Sequence, residues 1–263
     1  MRRLYTHYIP ISLIIIGVFF GGLIYYESHH STTDFEGSDS NSVTDNIHNE
    51  QAPENRVTNV PDQKTSEIKI NFINHSVPFV VQAPMGDWDD ERQQDGCEEA
   101  SALMAMGWVN EKKFSKDEAL KEILAISNFE QKSHGEFRDI SLNDSRDWIF
   151  KEYFKYNNIE VKMNITASDI IKALHDGGVV ILPMNGQKLS NPYFSGAGPE
   201  RHMLLVRGYD PIKKQFITND PGTKRGENYR YSESTIMNSI LVYPTGYHEP
   251  TDESLKGMIV VKK

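Results

Sequence analysis

The chain has a single cysteine, Cys97, at the point where a loop is predicted to enter a helix. Residues 89–96 are polar and end in glycine, and apolar residues follow Cys97 at helical spacing. A thiol at a helix N-terminus faces free backbone N–H groups and the positive end of the helix dipole, which favour the thiolate and can hold an oxyanion. Glu98 and Glu99 oppose this effect, because adjacent negative charge raises the pKa of the thiol unless the carboxylates point away.

One cysteine in 263 residues also excludes several classes of protein. It rules out an intrachain disulfide and a multi-cysteine zinc site. A lone thiol is either buried as a small hydrophobe or used as a nucleophile, and Cys97 fits both descriptions at this point. The formal net charge of −9 argues against a nucleic-acid partner, since phosphate binding relies on clustered Lys and Arg. No motif demands a metal or a cofactor.

A thiolate nucleophile needs a base with an orienting partner, and His202 is the strongest candidate for the base. It precedes an apolar run, 203–207, and a second apolar run, 215–218, leads to Asp220. If the two runs form a hairpin in which paired residue numbers sum to 422, His202 lies directly opposite Asp220, with Cβ atoms about 4.5–5.5 Å apart. A slip of one residue would turn one side chain to the other face. In the competing interpretation His202 is a surface residue and Asp220 only opens an Asp-Pro-Gly turn. The other eight histidines lie before the domain, at a helix end or in polar loops.

The remaining apolar patterns predict an α+β fold, with helices first and mostly antiparallel strands later. Ser115 is a candidate N-cap for the helix that follows the one beginning at Cys97, and Glu118 completes a capping box with it. The predicted helices are 97–110, the one that follows Ser115, 145–156, 168–174 and 232–240. The predicted strands are 68–73, 77–81, 159–163, 179–182, 203–207, 215–218 and 258–261.

The N-terminal residues 1–26 predict a membrane anchor rather than part of the fold. An uncharged segment, 8–26, is long enough to cross a bilayer as a helix. Tyrosines stand at both of its ends, where they favour the headgroup region. Arg2 and Arg3 should keep the N-terminus inside, so that the rest of the chain is extracytoplasmic. A cleaved signal peptide is the alternative, although the residues after the apolar run offer no A-x-A-like cleavage site.

Residues 27–65 predict a flexible acidic linker. They hold eight acidic against two basic residues, a net charge of −6, and scarcely a large apolar side chain. Such a segment cannot bury enough surface to offset its ordering entropy. The sequence therefore predicts a tether between the anchor and one mixed domain formed by residues 66–263.

Three ordered blocks of the domain resemble the C39-like peptidase family. The first runs from Val77-Pro78-Phe79-Val80-Val81-Gln82-Ala83-Pro84 through Asp87-Trp88 to Gln94-Asp95-Gly96-Cys97-Glu98-Glu99-Ala100-Ser101. The second is Gly198-Pro199-Glu200-Arg201-His202-Met203, and the third extends from Asn219-Asp220-Pro221-Gly222 to Tyr229-Arg230-Tyr231. Together they cover the domain from about residue 70.

The resemblance implies a papain-like fold and a cysteine peptidase. Carried over residue by residue, Cys97 is the nucleophile, His202 the base and Asp220 its orienter. The family commonly has Cys-Gly where this chain has Cys97-Glu98. Its best-known members are cytoplasmic domains of exporters that trim leader peptides, so their substrate is not carried over to a domain predicted to face outside.

The family also uses a glutamine in its oxyanion hole. Gln82 is most similar in position, while Gln93 and Gln94 are nearer to the cysteine in sequence, and the choice among them stays open. The resemblance implies a peptide or protein substrate. Two other functions remain open: an acyltransferase or isopeptide-forming enzyme that uses the same residues, and a non-catalytic surface binding module on the same fold.

Overall fold

The computed structural model describes residues 71–263. The predicted anchor at 8–26, the linker at 27–65 and the first residues of the predicted domain lie outside this range. Within residues 71–263, no helix has both the length and the apolar character needed to cross a bilayer.

The helix predicted to begin at the cysteine does begin there. Among the described residues the helices are α1 (Glu91–Gln94), α2 (Cys97–Val109), α3 (Lys116–His134), α4 (Leu142–Asp144), a π-helix (Ser145–Tyr153), α5 (Ala167–His175), α6 (Gly186–Leu189) and α7 (Glu233–Ser239). The predicted helix 145–156 is therefore mostly a π-helix and ends three residues early.

The start of α3 confirms the predicted capping box. The Ser115 hydroxyl accepts the backbone N–H of Glu118, and the Glu118 carboxylate accepts the backbone N–H of Ser115. Two amide groups that the helix cannot satisfy internally are thus paired. At the other end Gly135 takes a left-handed conformation, which terminates the helix.

An antiparallel sheet forms the centre of the domain. Its strands are β1 (Ile73–Asn74), β2 (Ile159–Met163), β3 (Val179–Met184), β4 (His202–Asp210), β5 (Gln215–Asn219), β6 (Tyr229–Ser232) and β7 (Gly257–Val261). The order across the sheet is β2-β7-β3-β4-β5-β6, and β1 pairs with the C-terminal end of β4. Every recorded pairing is antiparallel. The α+β class is confirmed.

Both faces of this sheet are covered by helices. On β3, Val179 and Ile181 join the core that contains α2, α3 and the π-helix. The alternate residues Val180 and Leu182 join a second core that contains α5 and α7. Side chains alternate between faces along a strand, so a continuous apolar run is what a strand buried on both sides requires.

The predicted strand at 77–81 is wrong. These residues pair with no strand in the part of the chain that the structure describes; instead, side chains from the sheet hold the segment. The Arg207 guanidinium donates from Nε to the carbonyl of His75 at 2.7 Å, and the Asn219 amide donates to the carbonyl of Pro78 at 3.2 Å. A proline has no N–H to donate to a ladder, so side-chain donors take over. Of the predicted strand 68–73, only Ile73 lies in a strand of the described residues.

The predicted hairpin of β4 and β5 forms, but with a different register. Leu205 pairs with Asn219, so partner numbers sum to 424 rather than 422, and a bulge near Gly208 shifts the register again. His202 is therefore not directly opposite Asp220. A shift of two residues keeps the same face, because side chains alternate with a period of two. The two side chains consequently still meet, on a diagonal.

Two buried glutamates face each other between α2 and α3. Glu99 and Glu130 have no exposed surface. Ser127 donates a 2.6 Å hydrogen bond to Glu99, whereas neither carboxyl oxygen of Glu130 has a hydrogen-bond partner among the described residues. Burial, reinforced by the charge of Glu99, raises the pKa of Glu130 well above its ordinary value. Burial without a hydrogen-bond partner thus favours the protonated form of Glu130 in the folded protein.

We expect Glu130→Gln to change how stability depends on pH. Between the ordinary glutamate pKa of about 4.3 and the raised pKa of Glu130, the folded state holds a proton that the unfolded state has lost. The free energy of unfolding of the wild type should therefore fall as pH rises through this window. The variant keeps the size of the side chain but cannot titrate, so the decline in its free energy of unfolding should be shallower by about 1.4 kcal/mol per unit of pKa shift removed. Urea unfolding at pH 5 and pH 8 measures this difference.

The matched control is Glu122→Gln, on the same helix but partly exposed. It should leave the pH dependence unchanged. Parallel pH dependences for the wild type and Glu130→Gln would contradict the assignment of the proton to Glu130.

Candidate functional site

Cys97 is held at the first turn of α2. The residue before it, Gly96, has no side chain to occupy the first amide groups of the helix. The thiol is 6% exposed, and its Sγ donates a 3.0 Å hydrogen bond to Oε2 of Glu98. Burial first, and then the charge of Glu98, raise the pKa of Cys97 well above its ordinary value. The sequence left open whether the helix N-terminus or the neighbouring carboxylates would dominate, and Glu98 does not point away from the sulfur.

Glu98 links the cysteine to the strand that carries the histidine. It is 2% exposed, and its second oxygen, Oε1, accepts a 2.7 Å hydrogen bond from the hydroxyl of Tyr243. The same hydroxyl lies 3.3 Å from the backbone oxygen of His202. The nucleophile end of α2 and the start of β4 are thus joined through one tyrosine.

His202 and Asp220 form a buried pair. His202 is 1% exposed and Asp220 has no exposed surface, and His202 Nε2 lies 2.8 Å from Asp220 Oδ1. The ring of Phe194 packs edge-on against the imidazole with 5.5 Å between centroids. Because Nε2 faces the aspartate, Nδ1 is the ring nitrogen left to exchange a proton with another group.

Further donors surround the carboxylate of Asp220. The Tyr231 hydroxyl donates to Oδ2 at 2.6 Å, Asn191 donates to the same oxygen at 3.4 Å, and the backbone N–H of Gly222 donates to Oδ1 at 3.0 Å. Burial alone would raise the pKa of Asp220, but the charge and hydrogen bond of His202, with Tyr231 and Gly222, bring it below its ordinary value. A charged, oriented aspartate results.

The turn after Asp220 has room only for glycine at position 226. The backbone N–H of Asp220 donates to the carbonyl of Gly226 at 3.0 Å. A Cβ on Gly226 would lie 1.8 Å from the backbone oxygen of Asp220, a contact that the backbone would have to move to relieve. The glycine in the third sequence block therefore sets the position of the aspartate.

The three candidate glutamines lie in different environments. Gln82 and Gln94 line the same cavity as Cys97, whereas Gln93, which is buried as Gln82 is, does not line it. The side-chain amide of Gln82 donates to the backbone carbonyls of Gln93 and Gln94, at 3.1 and 2.7 Å. In this arrangement the Gln82 amide is hydrogen bonded to the loop before the cysteine and is not a free donor for an oxyanion.

A cavity of about 210 Å³ opens over Cys97 and His202. The charged residues that line it, besides the histidines, are Asp95, Asp139, Glu200 and Arg201. Arg201 pairs with Asp139 at 3.3 Å. Burial and the charge of Asp139 raise the pKa of Asp95 to about 6. A thiol, an imidazole with an ionised partner and helix-start amides therefore share one cleft, a set of groups that suits acyl transfer.

Three contributors to the site were missed by sequence reasoning. Tyr231 lies in the third sequence block, but nothing marked its hydroxyl as a partner for Asp220. Asn191 precedes a proline, which signals a turn and no more. Tyr243 follows α7 without any local motif. All three reach the site through tertiary packing.

We expect Tyr231→Phe to weaken the aspartate's environment while preserving its shape. Loss of the 2.6 Å hydrogen bond should lower the free energy of unfolding at pH 7 by about 1–3 kcal/mol. The pKa of Asp220 should move up toward its ordinary value. A depressed aspartate pKa contributes stability above the unfolded pKa and loses it as pH falls through the folded one, so the deficit should shrink below about pH 4. Urea unfolding of the wild type and the variant at pH 7 and at a pH below 4 measures this change in the deficit.

Tyr229→Phe is the control for this change. Tyr229 lies on the same strand and packs at a tilt against Tyr231 with 4.7 Å between ring centroids, yet its hydroxyl is not among the donors to Asp220. The control should change stability by less than about 0.5 kcal/mol. Equal losses for the two variants would contradict the role given to Tyr231.

Comparison with known proteins places the chain in a family. The sequence profile of the Peptidase_C39 like family matches residues 74–245, more than half of the chain. Among solved structures, a Bacillus anthracis protein with the provisional description of a C39-like peptidase matches with 14% identity and a TM-score of 0.46, over 73% of this chain and 98% of its own. No curated protein matches. The profile match includes Cys97, His202 and Asp220. This chain belongs to the Peptidase_C39 like family.

Proposed function

We propose that this protein is a cysteine peptidase or amide hydrolase in which Cys97, His202 and Asp220 act together. One observation carries the proposal: the 2.8 Å His202–Asp220 pair is almost fully buried, and its histidine opens onto the same cavity as the thiol. A histidine held at one nitrogen by an ionised aspartate is fixed in tautomer and orientation, as a general base requires. Family membership supports the same reaction type.

The proposed reaction begins with transfer of the Cys97 proton to Nδ1 of His202. The sulfur then attacks the substrate carbonyl, and the oxyanion is stabilised by the backbone amide of Cys97 at the start of α2. His202 returns its proton to the leaving amine, and an acyl-enzyme remains on the sulfur. Water, deprotonated by His202, releases the acid and restores the thiol.

We propose Gln82 as a second oxyanion donor. It lines the cavity beside Cys97, and its amide must exchange the carbonyls of Gln93 and Gln94 for the oxyanion. An amine in place of water would turn the same steps into acyl transfer, so the acceptor is decided by what else enters the cleft.

We expect single substitutions at Cys97, His202 and Asp220 to abolish peptide hydrolysis or to reduce its rate strongly. Cys97→Ala removes the nucleophile and should leave no activity above background. His202→Ala should reduce kcat/KM by at least about 10³-fold, and Asp220→Asn by about 10²–10⁴-fold, because the histidine loses its base function or its orientation. Release of quenched fluorescence from a mixed peptide library, with the full chain purified in detergent, measures these losses.

His175→Ala serves as the matched control, because His175 is exposed at the end of α5. It should retain wild-type activity. A Cys97→Ala protein with undiminished hydrolysis would refute the proposed nucleophile. A wild type that binds peptides without cleaving them would favour the non-catalytic binding module.

We also propose that the domain works outside the cytoplasm while attached to the membrane by the segment at 8–26. The uncharged segment and the two preceding arginines support this orientation. The protein should sediment with membranes, and a protease added to intact cells should remove the domain. Release into the soluble fraction, or protection from the added protease, would contradict the proposal.

A further inference from the structure

Most of the charged side chains that line the candidate cleft are negative, and the proposed reaction uses none of them. Besides its histidines, the cleft is lined by the carboxylates of Asp95, Asp139 and Glu200 and by the guanidinium of Arg201. Arg201 is bound to Asp139 at 3.3 Å and also donates to the backbone oxygen of Glu249. The protein therefore neutralises this cation itself, whereas Asp95 and Glu200 have no ion-pair partner within residues 71–263.

These two carboxylates are charged in mildly alkaline solution. Burial raises the pKa of Asp95 to about 6, which leaves the group ionised at pH 8. Glu200 is exposed, and an exposed glutamate is ionised at this pH. The positive charge of Arg138 also reaches Asp95, but its guanidinium forms two hydrogen bonds with Glu136, at 3.0 and 3.2 Å. The cleft therefore keeps an excess of negative charge beside the thiol.

The segment that leads to the nucleophile extends this negative charge beyond the cleft. Residues 87–95 hold five acidic residues and one basic residue, Arg92. Arg92 donates to the Asp90 carboxylate from Nε and Nη2, at 2.9 and 2.7 Å, and the charge of Glu91 reaches Asp95. Charges of one sign around a concave site sum to a field that concentrates ligands of the opposite charge.

A buried acceptor in the same cleft has no donor. Gln82 lines the cleft and is 4% exposed, and its Oε1 accepts no hydrogen bond from residues 71–263. An ammonium or guanidinium group offers donors and no acceptor, so it suits a wall of carboxylates and an amide oxygen. The buried Nε of Arg201 also has no partner among these residues, and it can donate to a neutral backbone carbonyl of the same ligand.

We propose that this cleft selects ligands by positive charge, and that the substrates of the enzyme are peptides with a lysine or arginine beside the scissile bond. This inference rests on the proposed function, because it names the substrate class of the same cleft. Asp95 and Glu200 determine the specificity through their charge. An acidic side chain in their place on the substrate would lose hydration without gaining a cation. The cleft volume, about 210 Å³, is smaller than that of sites for drug-sized ligands and suits a single flanking side chain.

The test measures the electrostatic potential at Cys97 with two reagents of opposite charge. Methanethiosulfonates that carry a trimethylammonium-ethyl or a sulfonato-ethyl group form a mixed disulfide with a thiolate and release methanesulfinate. Cys97 is the only cysteine, so the intact mass of the full chain in nonionic detergent reports this thiol alone. At pH 8 and low salt, the ratio of the cationic to the anionic rate constant should exceed the ratio for 2-mercaptoethanol by at least about tenfold.

Two variants and a control assign this potential to the cleft. Asp95→Asn and Glu200→Gln should each lower the ratio about threefold, because each removes one negative charge. Asp117→Asn makes the same change in net charge at an exposed position that does not line the cleft, and it should leave the ratio unchanged. A wild-type ratio no higher than that of 2-mercaptoethanol, or an equal fall in the control, would overturn the inference. Glu200→Gln keeps the test available if Asp95→Asn fails to fold, because Glu200 is exposed.

Matched peptides separate this inference from the proposed function. Quenched-fluorescence peptides with central lysines should be hydrolysed with a kcat/KM at least about tenfold that of peptides with central glutamates, and Glu200→Gln should narrow the gap through KM. Hydrolysis that depends on Cys97 but shows no such preference would reject the inference and leave the peptidase intact. A raised reagent ratio without hydrolysis of any peptide would reject the peptidase and support a cleft that selects cations without cleaving them.

Discussion

An aspartate with no exposed surface stays ionised only where donors surround it, and the site depends on that condition at Asp220. Removal of a carboxylate from water costs several kcal/mol unless hydrogen bonds and a positive partner replace the solvent. Here His202, Tyr231, Asn191 and the amide of Gly222 do so. The sheet register, the turn after β5 and the loop after α6 all have to be correct for these donors to converge.

The nucleophile lies in the opposite electrostatic setting. Cys97 has a helix N-terminus that favours negative charge, but Glu98 and Glu99 follow it into the protein instead of pointing to solvent. Burial of the thiol, together with the Glu98 carboxyl 3.0 Å from the sulfur, outweighs the dipole and raises the pKa of Cys97 well above its ordinary value. The same protein thus stabilises an anion at the orienter and opposes one at the nucleophile, which assigns the proton at rest to the sulfur.

The sequence allowed the main elements and the residues of the candidate site to be predicted, for physical reasons that can be named. The single cysteine after a glycine predicted a helix start, and Ser115 with Glu118 predicted the next one, because these signals are local. The contact of His202 with Asp220 was predicted from an incorrect register. It survived because the error was two residues, which keeps side chains on one face.

The remaining features could not be predicted because they depend on distant contacts. The segment 77–81 has the composition of a strand, yet Arg207 and Asn219 bind its carbonyls in place of a ladder. Tyr243 reaches Glu98 across 145 positions of the chain. The burial of Cys97 and the direction of the Glu98 side chain were the decisive unknowns, because both raise the pKa of the thiol and neither has a signature in sequence.

The proposed function requires that His202 activate Cys97 as a nucleophile. Each protein is mixed with p-nitrophenyl acetate at pH 7, the reaction is stopped with acid at a series of times, and the intact mass shows how many acetyl groups the protein carries. The proteins compared are the native wild type, the His202→Ala variant and the urea-unfolded wild type. We expect a single acetyl group on Cys97. It should form fastest in the native wild type and then disappear as water hydrolyses the acyl-enzyme. Equal acetylation rates in all three, or acetyl groups on other residues, would contradict it.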